Sequence, residues 1–98
     1  MIPLLTTLTM VASWYGPGFH GNSTANGERY DQYAATAAHK TLPFGTKLKV
    51  CYQKCEVVRI TDRGPFSPGR DLDLSKGTAQ RIGVFEAGVA PVTVTRLN

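Results

Sequence analysis

The sequence lacks any long run of apolar residues. Its short apolar stretch, residues 2–5, has no basic residues before it and is too short for a signal peptide or a membrane span. No cysteine lies near the start of the chain to carry a lipid. We therefore expect no membrane span, and we interpret residues 1–10 as an N-terminal segment compatible with the remnant of an export signal.

Charge of one sign is nowhere concentrated. The 11 Lys and Arg residues outnumber the 7 Asp and Glu residues, for a net charge of +4, yet no five basic residues follow one another. A basic surface attracts polyanions such as nucleic acid, anionic lipid or the acidic polymers of a cell wall. Without a basic run, the pattern argues against nucleic acid as a partner.

The chain has only two cysteines, Cys51 and Cys55. Their three-residue separation differs from the usual redox motif, and two cysteines without nearby histidines cannot build a structural zinc site, so we expect no metal and no cofactor. Because both flanks are predicted strands, we favour a disulfide across a tight hairpin over two free thiols. Such a disulfide would indicate an oxidising compartment.

Turn-forming residues, in contrast, are abundant. With 10 glycines and 6 prolines among 98 residues, the composition favours short strands joined by turns over a helical bundle. Apolar alternation with β-branched residues predicts strands over 47–51 and 55–61. Residues 9–15, 71–74 and 92–97 are also predicted strands, and residues 34–39 could form a helical turn or a strand, of which we favour the strand. The sequence therefore predicts one all-β domain over residues 11–98, a six-stranded closed barrel with one or two short helices.

A helix is predicted directly after the fifth strand. Ser75 is a typical N-cap, and Gly83 is a typical helix end after Ile82. In the strand before it, Asp71 and Asp73 are two residues apart and are predicted to share one face.

Four titratable side chains lie at predicted strand ends or in turns: Glu28, His39, Asp62 and Asp73. Asp62 follows an apolar strand, a position at which rigid scaffolds present functional groups. An aspartate that caps a turn and pairs with an arginine would explain it as well. The other three residues also have structural explanations as alternatives to a functional role. These are packing for His39, a turn for Glu28 and a helix cap for Asp73.

Aromatic residues crowd the first third of the chain, at Trp14, Tyr15, Phe19, Tyr30 and Tyr33. Aromatic faces in a groove can stack on sugar rings, and Tyr and Trp can bond to sugar hydroxyls. A domain of this size also needs large side chains for its core. We expect two or three of these rings to be buried and two to line a groove.

Five motifs in order are more specific than any single residue. They are residues 12–16 (ASWYG), 24–28 (TANGE), 36–46 (TAAHKTLPFGT), 62–66 (DRGPF, followed by Gly69-Arg70) and 73–75 (DLS). Over about residues 11–97 this pattern resembles the double-psi β-barrel domain of the rare lipoprotein A family. It is more distantly similar to the first domain of expansins, to barrel endoglucanases and to membrane-bound lytic transglycosylases.

The resemblance implies a double-psi β-barrel with a polysaccharide groove. Active members are lytic transglycosylases that cut between N-acetylmuramic acid and N-acetylglucosamine, prefer glycan strands stripped of stem peptides and leave 1,6-anhydro ends. It implies catalytic roles for Glu28, His39 and Asp62, and a functional role for Asp73. With Asp73, we assign substrate binding to side chains in or beside the motifs, namely Trp14, Tyr15, Thr24, Arg63 and Phe66.

The implied chemistry suits a carboxyl group at Asp62. In a lytic cut the sugar's own 6-hydroxyl is the nucleophile, so one carboxyl can protonate the leaving oxygen and then accept the hydroxyl proton. Burial and a second carboxylate such as Asp73 would favour the protonated starting state. Glu28 and His39 would orient the substrate or tune that proton.

A second hypothesis is a non-catalytic module of the expansin kind that binds or loosens wall polysaccharide in the same groove. A basic nucleic-acid binder is a weaker third. The expected partner is the peptidoglycan glycan strand, the expected state is a monomer, and the expected location is exported: periplasm, cell envelope or extracellular space.

Overall fold

The computed structural model describes residues 6–15 and 17–98. In chain order the elements are β1 (Thr7–Tyr15), a 3-10 helix (Pro17–Phe19), β2 (Thr36–His39), β3 (Lys47–Cys51), β4 (Cys55–Asp62), β5 (Leu72–Ser75), α1 (Lys76–Ile82) and β6 (Ala90–Arg96). No helix in this part of the chain is long and apolar enough to cross a membrane.

The strands close into one barrel in the order β1-β5-β2-β4-β3-β6. β1 runs parallel to β5 and β2 runs parallel to β4, while the other neighbouring pairs are antiparallel. Closure gives each of these strands a partner on both sides. It thereby removes the unpaired edges that such short strands would otherwise expose.

The barrel interior follows from the period of two along each strand. Leu72 and Leu74 of β5 are fully buried inside the barrel. Because successive side chains of a strand point to opposite faces, Asp73 between them lies on the outer face. Apolar side chains from the other strands complete the core, among them Leu48, Val50, Val58, Ile60, Val92 and Val94.

The hairpin between β3 and β4 carries a disulfide bond between Cys51 and Cys55. The two cysteines face each other in register, and Tyr52 N donates a hydrogen bond to Lys54 O at 3.0 Å to close the turn. The disulfide is therefore confirmed over the alternative of two free thiols.

Helix α1 begins and ends where the sequence predicts. Ser75 Oγ accepts a hydrogen bond from Thr78 N at 3.2 Å. Gly83 ends the helix in the left-handed conformation, with φ of 98°. Ser75 Oγ also donates to Ala34 O at 2.6 Å, so the same cap joins the helix to the segment before β2.

The strands differ from their predicted bounds where distant partners extend or shorten the pairing. β1 begins two residues before the predicted start, because Thr7 pairs with Thr95 of β6. Residues 7–10, assigned from sequence to an N-terminal segment, therefore belong to β1, and residues 1–5 of that segment lie outside the described residues. β2 and β5 begin later than predicted and β6 begins earlier.

Asp71 does not belong to β5, although the sequence predicted it in that strand. Its backbone N donates to Val11 O, and its Oδ2 accepts from Val11 N, both at 2.8 Å. Both hydrogen bonds fasten the approach to β5 against β1. Asp73 is therefore the aspartate that the strand itself presents on the outer face of the barrel.

Candidate active site

Four side chains form one row across the outer face of the barrel. Ser13 of β1 pairs with Asp73 of β5, Asp73 pairs with Ala38 of β2, and Ala38 pairs with Asp62 of β4. The row thus crosses four adjacent strands and places an aspartate on either side of a small residue.

A shift of register between β2 and β4 brings Asp62 into this row. Ala37 pairs with Ile60, but the next residue, Ala38, pairs with Asp62, so Thr61 is skipped. Bulges of this kind re-aim a side chain near the end of a strand. Here the irregularity brings the carboxyl-bearing end of β4 opposite Ala38.

The two carboxyl groups of the row are separated by a single strand. Neighbouring strands lie about 4.8 Å apart, which places the Cα atoms of Asp62 and Asp73 about 10 Å apart. Ala38 between them carries only a methyl group, so the space above it stays open. A groove of about 650 Å³ lies over the row, walled by the 63–70 segment and by Tyr15 and Phe19.

The Asp62 carboxylate is held by the backbone. Its Oδ1 accepts hydrogen bonds from Ala25 N and Arg63 N, both at 2.9 Å. Asn26 N donates to Thr61 O at 3.1 Å, which docks the 24–28 loop on the end of β4. Oδ2 makes no hydrogen bond to the described part of the chain and remains available at the groove.

Asp73 differs from Asp62 in its electrostatic surroundings. Burial raises the pKa of Asp73 to about 6, and the negative charge of Asp62 adds to the rise. A hydrogen bond from Ser13 Oγ at 3.2 Å and the positive charge of Arg70 offset part of it. Asp73 can therefore hold a proton in mildly acidic solution while it faces the groove.

Aromatic rings stand at the sides of the groove. Phe66 is 81% exposed and Phe19 is 55% exposed, which are high fractions for side chains of this size. The ring of Tyr15 stacks on buried Tyr30 at 4.4 Å between ring centroids and meets the edge of Phe19 at 5.8 Å. The sequence led us to expect two groove rings from the first third of the chain, and Tyr15 and Phe19 occupy that place.

The phenol of Tyr15 is neutral. Its pKa is raised above the ordinary value for tyrosine, mainly by burial. The nearby Tyr30, Asp62 and Asp73 add to the rise. Its buried hydroxyl neighbours that of Thr36, although neither oxygen makes a well-formed hydrogen bond within the described residues. Tyr15 therefore contributes an uncharged ring to the groove.

Trp14 lies away from the groove, on the opposite face of β1 from Tyr15. Its ring stacks on Phe85 with 4.6 Å between centroids and packs against the core. Its assignment to substrate binding has no support from this placement, because alternation along β1 turns it to the other side.

Arg63 reaches the groove, but its guanidinium is committed elsewhere. Nη1 donates to His39 O at 3.2 Å and to Leu42 O at 2.8 Å, and the guanidinium lies 4.0 Å from the centroid of the Phe44 ring. Arg63 thus ties the start of the 63–70 segment to the turn after β2.

His39 lies beside this turn and does not line the groove. Its Nδ1 accepts hydrogen bonds from Thr41 N and Leu42 N, both at 3.1 Å. Burial lowers the pKa of His39, so the imidazole is neutral near pH 7. In this geometry His39 shapes the turn that receives the Arg63 guanidinium.

Glu28 is likewise outside the groove lining. Its two carboxylate oxygens accept from Arg59 Nη1 and Nη2 at 2.8 and 2.9 Å, and these hydrogen bonds lower the pKa of Glu28. Thr24 Oγ1 donates to Glu28 O at 3.0 Å. Both residues therefore brace the 24–28 loop, whose Ala25 N holds Asp62.

The structure thus brings Asp62, Asp73, Tyr15, Arg63 and Phe66 together at one groove. The other predicted residues do not line the groove: Glu28 and Thr24 stabilise the 24–28 loop, and His39 stabilises the turn after β2. Within residues 6–15 and 17–98, no three His, Cys, Asp or Glu side chains come close enough to hold a metal ion.

A family model described as "Lytic transglycolase" matches residues 7–94, nearly the whole chain. The chain belongs to this family. The matched range includes the five motifs. Their described residues fall on β1, the 24–28 loop, the β2 region, the end of β4 and β5.

Relatives of this lytic transglycolase domain are similar over most of the chain. A Synechocystis protein named "Probable endolytic peptidoglycan transglycosylase RlpA" is 59% identical over 87 residues, covering 86% of this chain and 27% of that protein. The Campylobacter jejuni protein "Endolytic peptidoglycan transglycosylase RlpA" is 56% identical over 85 residues, covering 84% of this chain and 31% of that protein. The chain spans less than a third of the length of these relatives.

Two solved structures share the fold. The Streptomyces papain inhibitor superposes over all of both chains with a TM-score of 0.78 at 20% identity. An expansin of Clavibacter michiganensis covers 95% of this chain and 51% of its own, with a TM-score of 0.76 at 22% identity. The predicted six-stranded double-psi β-barrel is thereby confirmed.

Sequence reasoning did not assign Ser13, Ala38 or Arg70 to this lytic transglycolase groove. Ala38 lies between the two aspartates and Ser13 lies at the end of the row beside Asp73, and neither is a conspicuous residue type. Alternation along β1 could have placed Ser13 on the outer face beside Tyr15. Ala38 lies within the motif 36–46, but the motif does not show its role, which comes from the aspartates that the barrel places on either side of it.

Proposed function

We propose that this domain is an endolytic peptidoglycan lytic transglycosylase that cleaves the bond between N-acetylmuramic acid and N-acetylglucosamine in peptide-free strands. One observation carries the proposal: two carboxyl groups lie in a single row across an open groove, and burial raises the pKa of one of them, Asp73, to about 6. Relatives named as transglycosylases support it.

The groove suits a polysaccharide. Its volume of about 650 Å³ is open along the barrel surface, as a chain-like ligand requires. The exposed rings of Phe19 and Phe66 offer apolar faces on which sugar rings can stack. The small side chain of Ala38 lets a sugar approach both aspartates.

The two carboxyl groups supply the two proton transfers that the reaction needs. Protonated Asp73 gives its proton to the glycosidic oxygen as the bond from that oxygen to C1 of the muramic residue breaks. Asp62 accepts the proton of the 6-hydroxyl as O6 bonds to C1 and closes the anhydro ring. No water is consumed, and proton exchange with solvent restores both groups.

This division of roles refines the expectation from sequence, which gave both transfers to Asp62. The contrast between the two sites supports it. In Asp62, two backbone N–H groups hold Oδ1, and Oδ2 accepts no hydrogen bond from residues 6–15 or 17–98. Asp73 is largely buried and its pKa is raised. Pairs of carboxyls in such different surroundings serve as separate acid and base in other enzymes.

Glu28, His39 and Thr24 act as positioning residues in this proposal. Glu28 and Thr24 brace the loop that holds Asp62, and His39 shapes the turn that anchors Arg63. Their contribution passes through the geometry of the groove rather than through contact with the glycan.

Replacing Glu28 with glutamine is expected to lower kcat/KM about 2- to 5-fold, because an exposed ion pair contributes modestly to positioning. Because Asp73 must be protonated to act as the acid and its pKa is about 6, the rate should decline above about pH 6. Glu28→Gln should not change the pH at which this decline begins. Steady-state rates on peptide-free strands across pH measure both quantities.

Glu56→Gln is the matched control. Glu56 forms the other two-pronged pair among the described residues, with Arg81 of α1, outside the groove. It should leave kcat/KM unchanged even where it lowers stability. The positioning role would be contradicted if the two substitutions lowered kcat/KM equally. It would also be contradicted if Glu28→Gln changed the pH at which the rate declines.

The function itself is tested by incubating the protein with purified peptide-free glycan strands and weighing the products. Internal cleavage that releases fragments with 1,6-anhydro-muramic ends, 18 mass units lighter than hydrolysis products because no water is added, is the expected result. Ordinary reducing ends would show a hydrolase instead. Co-sedimentation with the strands and no product would show the non-catalytic alternative.

A wall-cleaving enzyme works outside the cytoplasm, so the proposal includes export of the protein. The disulfide between Cys51 and Cys55 suits the oxidising conditions of the periplasm, cell envelope or extracellular space.

A further inference from the structure

Arg70 is an arginine of the groove that forms no ion pair with the described part of the chain. Its side chain lines the groove at the end of the 63–70 segment. Within residues 6–15 and 17–98, the ion pairs are Arg59 with Glu28 and Arg81 with Glu56, and Arg70 takes part in neither. Its guanidinium donates no hydrogen bond to these residues.

Arg63, the other arginine of the groove, differs in this respect. Its guanidinium already donates to His39 O and Leu42 O and packs over Phe44. It is therefore structural, and Arg70 is left as the group that can meet a ligand.

The surroundings of Arg70 favour an anionic ligand group. Burial raises the pKa of Asp73, and the positive charge of Arg70 partly offsets this rise, although the two side chains are not among the ion pairs of the described residues. The floor carries Asp62, whose charge repels an anion, and Asp73, which repels an anion when it is ionised. An anionic substituent of a bound glycan therefore has Arg70 as its favourable contact.

We propose that Arg70 binds a sugar carboxylate, and that on a peptidoglycan strand this is the lactyl carboxylate of N-acetylmuramic acid. The guanidinium presents paired N–H donors whose planar geometry matches a carboxylate. This assignment rests on the proposed function, since that function brings a muramic strand into the groove.

The chemistry of the lactyl group makes Arg70 a specificity determinant. In a strand that carries stem peptides, the lactyl carboxyl is consumed in an amide bond and has no charge. In a peptide-free strand it is a free carboxylate. Arg70 thus distinguishes the two strands by charge alone, at a distance from the bond that is cut.

The test compares peptide-free strands with the same strands after their lactyl carboxyls have been coupled to methylamine. Cleavage is measured at pH 5, where Asp73 is protonated, for the unaltered protein, for Arg70→Gln and for Arg96→Gln. Arg96→Gln removes the same charge from β6, outside the groove lining.

The unaltered protein and Arg96→Gln should prefer the carboxylate strands by about 10- to 100-fold in kcat/KM, the range for a hydrogen-bonded charge. Arg70→Gln should lose most of this preference by slowing on carboxylate strands alone. The ratio of the two substrates within one protein cancels any effect of the substitution on Asp73 or on folding. No preference in the unaltered protein, or a preference that survives Arg70→Gln, overturns the inference.

Binding separates this inference from the proposed function. Binding of both kinds of strand is measured for Asp62→Asn and for Asp62→Asn with Arg70→Gln. If the binding preference depends on Arg70 but the unaltered protein releases no anhydro products, the inference is supported and the proposed function is overturned. If the unaltered protein cleaves both kinds of strand at equal rates and binds them equally, the proposed function is supported and the inference about Arg70 is overturned.

Discussion

Replacing Asp62 with asparagine is expected to lower the rate of glycan cleavage by about 10²- to 10⁴-fold, the contribution of a positioned acid or base. The amide cannot accept the proton of the 6-hydroxyl, so the anhydro ring cannot close at a useful rate. Its oxygen can still accept hydrogen bonds from Ala25 N and Arg63 N, the two contacts that hold the wild-type side chain. The groove should therefore keep its shape and its affinity for the strand.

The measurement is the release of anhydro-muramic ends from peptide-free strands, with strand binding followed in parallel. Asp71→Asn is the matched control, because Asp71 lies beside β5 but outside the groove and is held through Val11 N. It should cleave at the wild-type rate. An Asp62→Asn protein that cleaves within a few-fold of wild type would remove Asp62 from the chemistry.

The second large effect concerns Asp73 and pH. Because burial raises the pKa of Asp73 to about 6, the group carries its proton below that pH and loses it above. As the proposed acid it must be protonated, so kcat/KM should fall about tenfold per pH unit above 6. Asp73→Asn should lower the rate by about 10²- to 10⁴-fold and abolish this limb, since an amide does not titrate there.

Stability provides the control for Asp73. Its folded-state pKa lies above the ordinary value of 3.8, so the unfolded chain releases this proton first as pH rises. The folded state is therefore destabilised as pH rises from about 4 to about 6 and stays so at neutral pH. Asp73→Asn removes this cost and should unfold at the same or a higher temperature than wild type at pH 7. Lost activity together with a lower Tm would instead indicate a structural role.

If Asp62 performs both proton transfers alone, the two substitutions will differ in their effect on activity. Asp62→Asn would still be inactive, but Asp73→Asn would keep most of its activity. Comparing both variants at pH 5 and pH 8 therefore decides whether one carboxyl or two carry the proton transfers.

Several features of the fold could be predicted because they depend on neighbours in sequence. The hairpin disulfide joins cysteines four positions apart. The cap of α1 is a contact between Ser75 and Thr78, three positions apart. Strand alternation likewise repeats every two residues. Such short-range patterns are complete within a few residues, so composition and spacing were enough to find them.

The motifs also pointed to Asp62 and Asp73 before any geometry was known. What they could not supply was the arrangement of the other motif residues. Glu28 and His39 belong to the same motifs, yet they brace loops behind the groove instead of lining it. A motif identifies residues that occur together and does not distinguish contact with a ligand from support of a neighbour.

The sequence by itself indicated the family, the barrel and the capped helix, favoured the disulfide over two free thiols, and singled out Asp62. Only the tertiary structure decided that Asp62 and Asp73 share a row with Ser13 and Ala38 and that the pKa of Asp73 is raised. It also decided that Arg70 lines the groove without an ion pair to residues 6–15 or 17–98. The physical reason is distance along the chain. Ser13 bonds to Asp73 across 60 positions and Ala25 to Asp62 across 37. Pairing, burial and charge at such separations are set by barrel closure and by the register shift between β2 and β4.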